Sequence, residues 1–273
     1  MEPLKGKHPK NSALHFACLT GDIKRVKNIL SLGGNVNARG MLNRTLVMLA
    51  AWKRQREVLE FLLRQGADVG LVDGRDDSIL HLACVGGDGY IVNLILCKYI
   101  TLVNIDGKGN YGKTPVMEAA YAGHLNVLQQ LRSKGADMSL VDDGGDNVLH
   151  WACVGGHIEV VSYVLSIICF DMNCRGVCER TPVMAAAVHG HEQVFHVIVS
   201  KGGDMTLTDA KCRNILHLAC RGGNVELVKR VLSKNIFDIN SKDHFGNTAL
   251  MEASVQRHRE MVNLLQGKGA KSL

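Results

Sequence analysis

The sequence repeats itself, and that decides most of what it can become. Ala13-Leu14-His15-Phe16-Ala17-Cys18 returns as Ile79-Leu80-His81-Leu82-Ala83-Cys84, Val148-Leu149-His150-Trp151-Ala152-Cys153 and Ile215-Leu216-His217-Leu218-Ala219-Cys220, at intervals of 66 to 69 residues. Midway between them runs a second series: Thr45-Leu46-Val47-Met48, Thr114-Pro115-Val116-Met117, Thr181-Pro182-Val183-Met184 and Thr248-Ala249-Leu250-Met251. Interleaved, the two series give eight copies with a period of about 33 residues that fill the chain. One such copy cannot bury its apolar face alone, so neighbouring copies must stack to make a core, and stability becomes a nearest-neighbour sum.

Each copy can be built from local rules. Ser12, Thr45, Ser78, Thr114, Asn147, Thr181, Asn214 and Thr248 open the copies with side chains that accept a hydrogen bond from an orphaned backbone N–H, so each is expected to cap a helix. Pro115 and Pro182 follow in the first turn, where no donor is needed. A short helix with small residues on one side comes next, then a turn such as Ala122-Gly123-His124, then a second helix whose apolar positions are Val127, Leu128 and Leu131 in copy four. Gly66, Gly135 and Gly202 stand as helix stops. A stretch such as Asp137–Asp142 then extends toward the next copy. In copy two Arg54-Gln55 replace the Gly-His turn, and there the pattern gives no support for the helix junction. The alternation of His-type and Met-type copies implies duplication of a two-copy block.

These motifs resemble the T-P-L-H-x-A core of the ankyrin-repeat family over nearly every residue from Asn11 onward. The resemblance implies an all-α ankyrin-repeat solenoid of helix-turn-helix units with projecting β-turn fingers. The expected organisation is a polar N-terminal tail over 1–10 and a single domain over 11–273. Its repeats would run 11–42, 43–76, 77–111, 112–145, 146–179, 180–212, 213–245 and 246–273.

Several chemistries are weighed and set aside. The pairs His15/Cys18, His81/Cys84, His150/Cys153 and His217/Cys220 each share a helix face. Zinc, however, needs four ligands at about 2.0–2.3 Å, and successive pairs lie two repeats, roughly 20 Å, apart. Each pair is therefore expected to be metal-free, with a buried thiol and a histidine bonded to the neighbouring turn. Cys169, Cys174 and Cys178, with Cys212 one finger away, match no zinc spacing, although an exposed Cys178 would be oxidisable. No nucleophile elbow, phosphate loop or dinucleotide fingerprint occurs, so no enzyme activity, cofactor or small-molecule substrate is expected. A net charge of +6 is spread out instead of forming the basic stripe that nucleic acid asks for. No run of about 18 apolar residues could span a bilayer. The polar N-terminus is unlike a secretory signal, the Lys271-Ser272-Leu273 end is not a peroxisomal address, and nine cysteines read as reduced thiols. The expectation is an intracellular monomer, cytoplasmic and/or nuclear.

The resemblance further implies that a partner protein binds the concave face made by the fingers and the exposed ends of the first helices. Carried over position by position, the partner-binding residues are Arg44, Trp52, Lys53, Arg75, Tyr111, Lys113, Tyr121, Arg180, His189, Lys211, Arg213, Arg221 and Phe245. Tyr, Trp and Arg form binding hot spots most often, and cations outnumber anions at these positions, so the expected partner is an acidic segment with an apolar anchor. The rival classes are a nucleic-acid or anionic-surface binder, and a methyl-lysine peptide reader in which Trp52 and Tyr121 form a cage. Trp151 sits at a core Leu position and is expected to pack.

Overall fold

The computed structural model describes residues 9–167 and 171–271, with side chains from Ser12 onward. Residues 1–8 of the expected tail, Cys169, Phe170 and the Ser272-Leu273 end lie outside the described residues. Among the described residues there are sixteen α-helices, three single 3-10 turns and no strand beyond two isolated bridges.

The chain divides into two compact halves, Met1–Asp142 and Asp143–Leu273, of four helix pairs each. The N-terminal half holds α1 (Pro9–Thr20) with α2 (Ile23–Ser31), α3 (Leu46–Trp52) with α4 (Arg56–Arg64), α5 (Ile79–Gly86) with α6 (Gly89–Lys98), and α7 (Pro115–Tyr121) with α8 (Leu125–Ser133). Within it α1, α3, α5 and α7 stack in succession, and α2 packs on α4 and α6 on α8. The C-terminal half holds α9 (Val148–Gly155) with α10 (Ile158–Ile167), α11 (Pro182–Val188) with α12 (Glu192–Ser200), α13 (Ile215–Gly222) with α14 (Val225–Ser233), and α15 (Ala249–Val255) with α16 (Arg259–Gly267). There α9, α11, α13 and α15 form the stack, with α10 against α12. Alanines make the close approach possible: Ala50, Ala83, Ala119, Ala152, Ala186 and Ala219 are fully buried.

Seven of the eight expected caps sit on extended backbone just before their helices. Ser12 does not. Helix α1 starts at Pro9, a residue preset for a first helical turn, which leaves Ser12 inside the helix. Gly66, Gly135 and Gly202 follow their helices with φ of 81°, 91° and 103°, the left-handed conformation that ends a helix.

The His/Met alternation has a structural meaning. Both residues occupy the third helical position and reach back to the cap amide. The sulfur of Met48 accepts from Thr45 N at 3.4 Å, and Nδ1 of His81 accepts from Ser78 N at 3.1 Å. Imidazole has a second nitrogen, and that nitrogen crosses to the next repeat. Nε2 of His81 donates to the carbonyls of Gly107 and Lys113, that of His150 to Arg180 O, and that of His217 to Asn247 O, at 3.0–3.1 Å. Met-type fingers make room for this ring with a glycine: a Cβ on Gly109 would stand 3.0 Å from His81, and one on Gly176 3.1 Å from His150.

A return bond runs the other way. Nε2 of His124 donates to Val85 O, that of His191 to Val154 O and that of His258 to Arg221 O, at 3.0–3.3 Å. In repeat two, Arg54 adopts the glycine's left-handed conformation at φ 60°, and Gln55 Nε2 donates to Leu19 O at 3.3 Å. The junction that the motif did not support is thus built with the same bond from an amide. Arginines add further ties between successive fingers and repeats. Arg44 pairs with Asp73 at 2.9 Å, Arg56 with Asp88 at 2.7 Å and Arg180 with Asp209 at 3.5 Å, while Arg39 and Arg175 donate to Val72 O and Thr208 O.

Candidate functional site

The sequence-predicted residues lie on the fingers and at the ends of the first helices. In the N-terminal half, α1, α3 and the finger joining repeats one and two enclose a cleft of about 370 Å³. Phe16, Leu19, Met41, Leu42, Leu49 and Trp52 line it. Phe16 is 59% exposed, whereas its counterparts Leu82 and Leu218 are buried to 3% and 0%. Met41 is 82% exposed. Trp52 is half-buried, with the Arg44 guanidinium 5.2 Å and the Lys53 ammonium 3.9 Å from its ring centre. Further along this half, Tyr111 is 74% exposed at the tip of its finger, in the left-handed conformation at φ 58°. Leu42 and Cys178 share this conformation at the equivalent finger positions, at φ 55° and 57°, so it belongs to the turn itself. Tyr121 is exposed, with Lys113 Nζ 5.5 Å from its ring centre, and Lys113 also pairs with Glu118 at 3.4 Å. Arg75 is exposed.

In the C-terminal half two of the six positions, Arg180 and Arg213, are taken up by an ion pair inside the fold, and the other four stay exposed. Arg213 has a side chain only 4% exposed and donates to Asp209 at 2.7 and 3.0 Å. Asp209 also accepts from the amides of Lys211 and Arg213. Burial opposes its charge, and the Arg213 hydrogen bonds with those amides overcome it and hold the carboxyl below the usual carboxylate range. Glu252 lies 3.9 Å from Arg213 and 4.0 Å from the exposed Arg221. Lys211 stacks over the exposed Phe245 at 5.5 Å, and exposed His189 stacks on His191 at 6.1 Å. Burial pushes the His191 imidazole below its usual range against the favourable pull of the Val154 carbonyl.

The structure therefore keeps Lys53, Arg75, Tyr111, Tyr121, His189, Lys211, Arg221 and Phe245 on the surface, half-buries Trp52, Arg44, Lys113 and Arg180, and buries Arg213. Arg44, Lys113, Arg180 and Arg213 are each paired within the fold, so the cations open to a partner are fewer than the sequence tally. Trp52 and Tyr121 each already carry a cation of their own instead of sharing a cage. Trp151 is half-buried. Sequence reasoning missed Phe16, although an aromatic where two sister repeats have leucine was a visible signal. It also missed the buried acids Asp73, Asp209 and Asp243, which recur five residues before a cap and whose carboxylates accept finger amides.

Elsewhere the chemistry is quiet. Cys18, Cys84, Cys153 and Cys220 are buried free thiols, and burial pushes Cys18 and Cys220 up to about 12. Cys178 and Cys212 are exposed free thiols. Among the described residues no three His, Cys, Asp or Glu side chains gather to hold a metal ion, and no helix is long and apolar enough to cross a membrane.

The chain matches a sequence family described as ankyrin repeats (3 copies) over residues 2–73, 47–142, 130–209 and 198–272. It is 27% identical over 201 residues to the nuclear factor NF-kappa-B p105 subunit of Gallus gallus, covering 71% of this chain and 20% of that one. It is 27% identical over 288 residues to the E3 ubiquitin-protein ligase KEG of Arabidopsis thaliana, covering 96% and 15%. It is also 27% identical over 289 residues to the ankyrin repeat and KH domain-containing protein mask-1 of Caenorhabditis elegans, covering 93% and 11%. The chain thus spans a fifth or less of the length of these relatives, including the one with an enzyme's name.

Proposed function

Because the chain belongs to the ankyrin-repeat family, whose repeats mediate protein–protein interaction, we propose that it is a non-catalytic interaction module that holds an acidic partner segment with an apolar anchor in the groove between fingers and first helices. The observation that carries this reading is a set of large apolar and aromatic side chains left exposed on the fingers and first helices. Phe16, Met41, Tyr111 and Tyr121 stand exposed in the N-terminal half, and Phe245 stands exposed in the C-terminal half. Large exposed apolar groups rimmed by polar ones mark interaction surfaces. Anionic-surface or nucleic-acid binding gains less support, because so many groove cations are already neutralised by neighbouring carboxylates.

The test is affinity capture from cell extract with the parent chain, a groove variant (Tyr111→Ala with Tyr121→Ala) and a variant on the second helices (Lys229→Ala with Lys234→Ala), each bound partner identified by mass spectrometry. The expected result is a partner retained by the second-helix variant and lost by the groove variant. A partner that the groove variant holds as well as the parent would refute the assignment.

A further inference from the structure

The cleft between α1, α3 and their joining finger differs from the other openings in the molecule. The openings between second helices are lined by charged groups, such as Glu192, Lys229 and Arg230 in one and Lys229 and Lys268 in another. Six of its nine lining side chains are apolar, the others being Ser12, His15 and Arg44, and no carboxylate lines it. Its mouth is the exposed trio Phe16, Met41 and Leu42. At about 370 Å³ it falls within the usual range of sites that enclose a ligand group. Lys53, next in sequence to the lining residue Trp52 and exposed with its Nζ 3.9 Å from that ring's centre, makes no ion pair among the described residues. Arg44 on the opposite side is tied to Asp73 and is rigid by comparison. An apolar hole with positive charge and no negative charge at its lip selects a partner by two features at once: a large apolar side chain to fill the hole, and a carboxylate next to it in the partner's chain.

Resting on the reading above, we propose that this cleft is the anchor subsite of the groove, taking one large apolar side chain from an acidic partner segment whose adjacent carboxylate pairs with Lys53. Trp52 forms the floor. Arg44 and Lys53 already polarise its ring face, so an incoming carboxylate meets cations held in place, which lowers the ordering cost of the contact. The aromatic and aliphatic wall supplies the affinity, and Lys53 supplies the preference for acidic neighbours.

The full chain carries two tryptophans, Trp52 and Trp151, so a Trp151→Phe background makes Trp52 emission a direct report on the cleft. The probes are three synthetic peptides: acetyl-Glu-Asp-Glu-Phe-Leu-Glu-Asp-Glu-amide, the same peptide with Ala-Ala replacing Phe-Leu, and the same peptide with Lys at every acidic position. The first should shift Trp52 emission saturably. The other two should bind at least about tenfold more weakly, a difference on the scale of one hot-spot contact. Met41→Glu, a change at an exposed position that leaves circular dichroism unchanged, should weaken the first peptide by a similar factor, and Lys53→Ala should reduce its salt dependence. Equal response to all three peptides, or parent-like binding by Met41→Glu, overturns the anchor site. If the peptide binds but is lost only in Tyr121→Ala or Arg221→Glu, the groove reading stands and this cleft is the wrong subsite. An emission shift that follows protein concentration without any peptide assigns the cleft to a second copy and likewise overturns it.

Discussion

The two halves of the molecule use the same repeat positions for different ends. In repeats 1–4 the groove exposes Phe16, Met41, Tyr111 and Tyr121 and stacks cations on rings. In repeats 6–8 part of the equivalent surface is an ion network: Arg180 and Arg213 converge on buried Asp209, and Glu252 lies near both Arg213 and Arg221, while Lys211 and Phe245 stay exposed. The first arrangement leaves side chains for a partner. The second spends them on holding adjacent fingers together. A charge tally along a repeat position therefore overstates a binding surface wherever the neighbouring repeat supplies a buried acid.

The largest effect that would sharpen this contrast is expected at Asp209. Asp209→Ala strands Arg213 and Arg180 without their buried carboxylate, and breaking such a pair costs roughly 3–5 kcal/mol. Urea unfolding followed by Trp151 emission in a Trp52→Phe background should show that loss. A change below about 1 kcal/mol would mean that the network is ornamental. Next comes His81, whose two nitrogens serve two repeats. His81→Leu removes both the cap contact and the link to Gly107 and Lys113, for a cost of about 2 kcal/mol. His81→Met keeps an acceptor for the cap amide, as Met48 does in repeat two, and should cost about half as much. If the two variants unfold alike under urea, the double role is wrong.

Acid should act on the C-terminal half through His191 and His217, both held below the usual imidazole range, first by burial. The folded half then binds fewer protons than the unfolded chain just below the free imidazole value of about 6.5. Their stabilisation is complete above that pH and declines as pH falls through it; Asp209, likewise depressed, loses its contribution in the same direction but only below about pH 4. Thermal melts between pH 7.5 and 5.5 should show the decline, and His191→Gln should flatten it, since Gln55 already makes the equivalent bond in repeat two. An unchanged slope would remove His191 from the explanation. The smallest stability effect belongs to Lys53→Ala, within about 1 kcal/mol, because the group is exposed and loses only a solvent-accessible stacking on Trp52. Its consequence should appear in association kinetics at low salt.

Most of the fold was legible in the sequence because its signals are local. The caps at Thr45, Thr114 and Asn147, the helix-ending glycines and the alanine faces all follow from short-range rules repeated eight times. The exception, Ser12, arose because Pro9 can begin a helix on its own. Copy two read as a defect because a motif records residue types, whereas the structure needs only a left-handed backbone and a side-chain donor, which Arg54 and Gln55 provide. The groove was legible in position but not in availability. Whether Arg213 faces a partner or Asp209 depends on contacts between residues of the same finger fold, and whether Phe16 is covered depends on what packs beside its helix. Neither is encoded in the repeat register.

Hydrogen–deuterium exchange on the full chain, with and without the acidic Phe-Leu peptide at saturation, reads both halves in one experiment. The expected result is slowed exchange in residues 12–20 and 41–54, around Phe16, Met41 and Trp52, with residues 209–221 and 243–255 unchanged. Slowed exchange confined to the C-terminal half, or spread over the second helices α2 and α4, would contradict the assignment of the anchor cleft to repeats one and two.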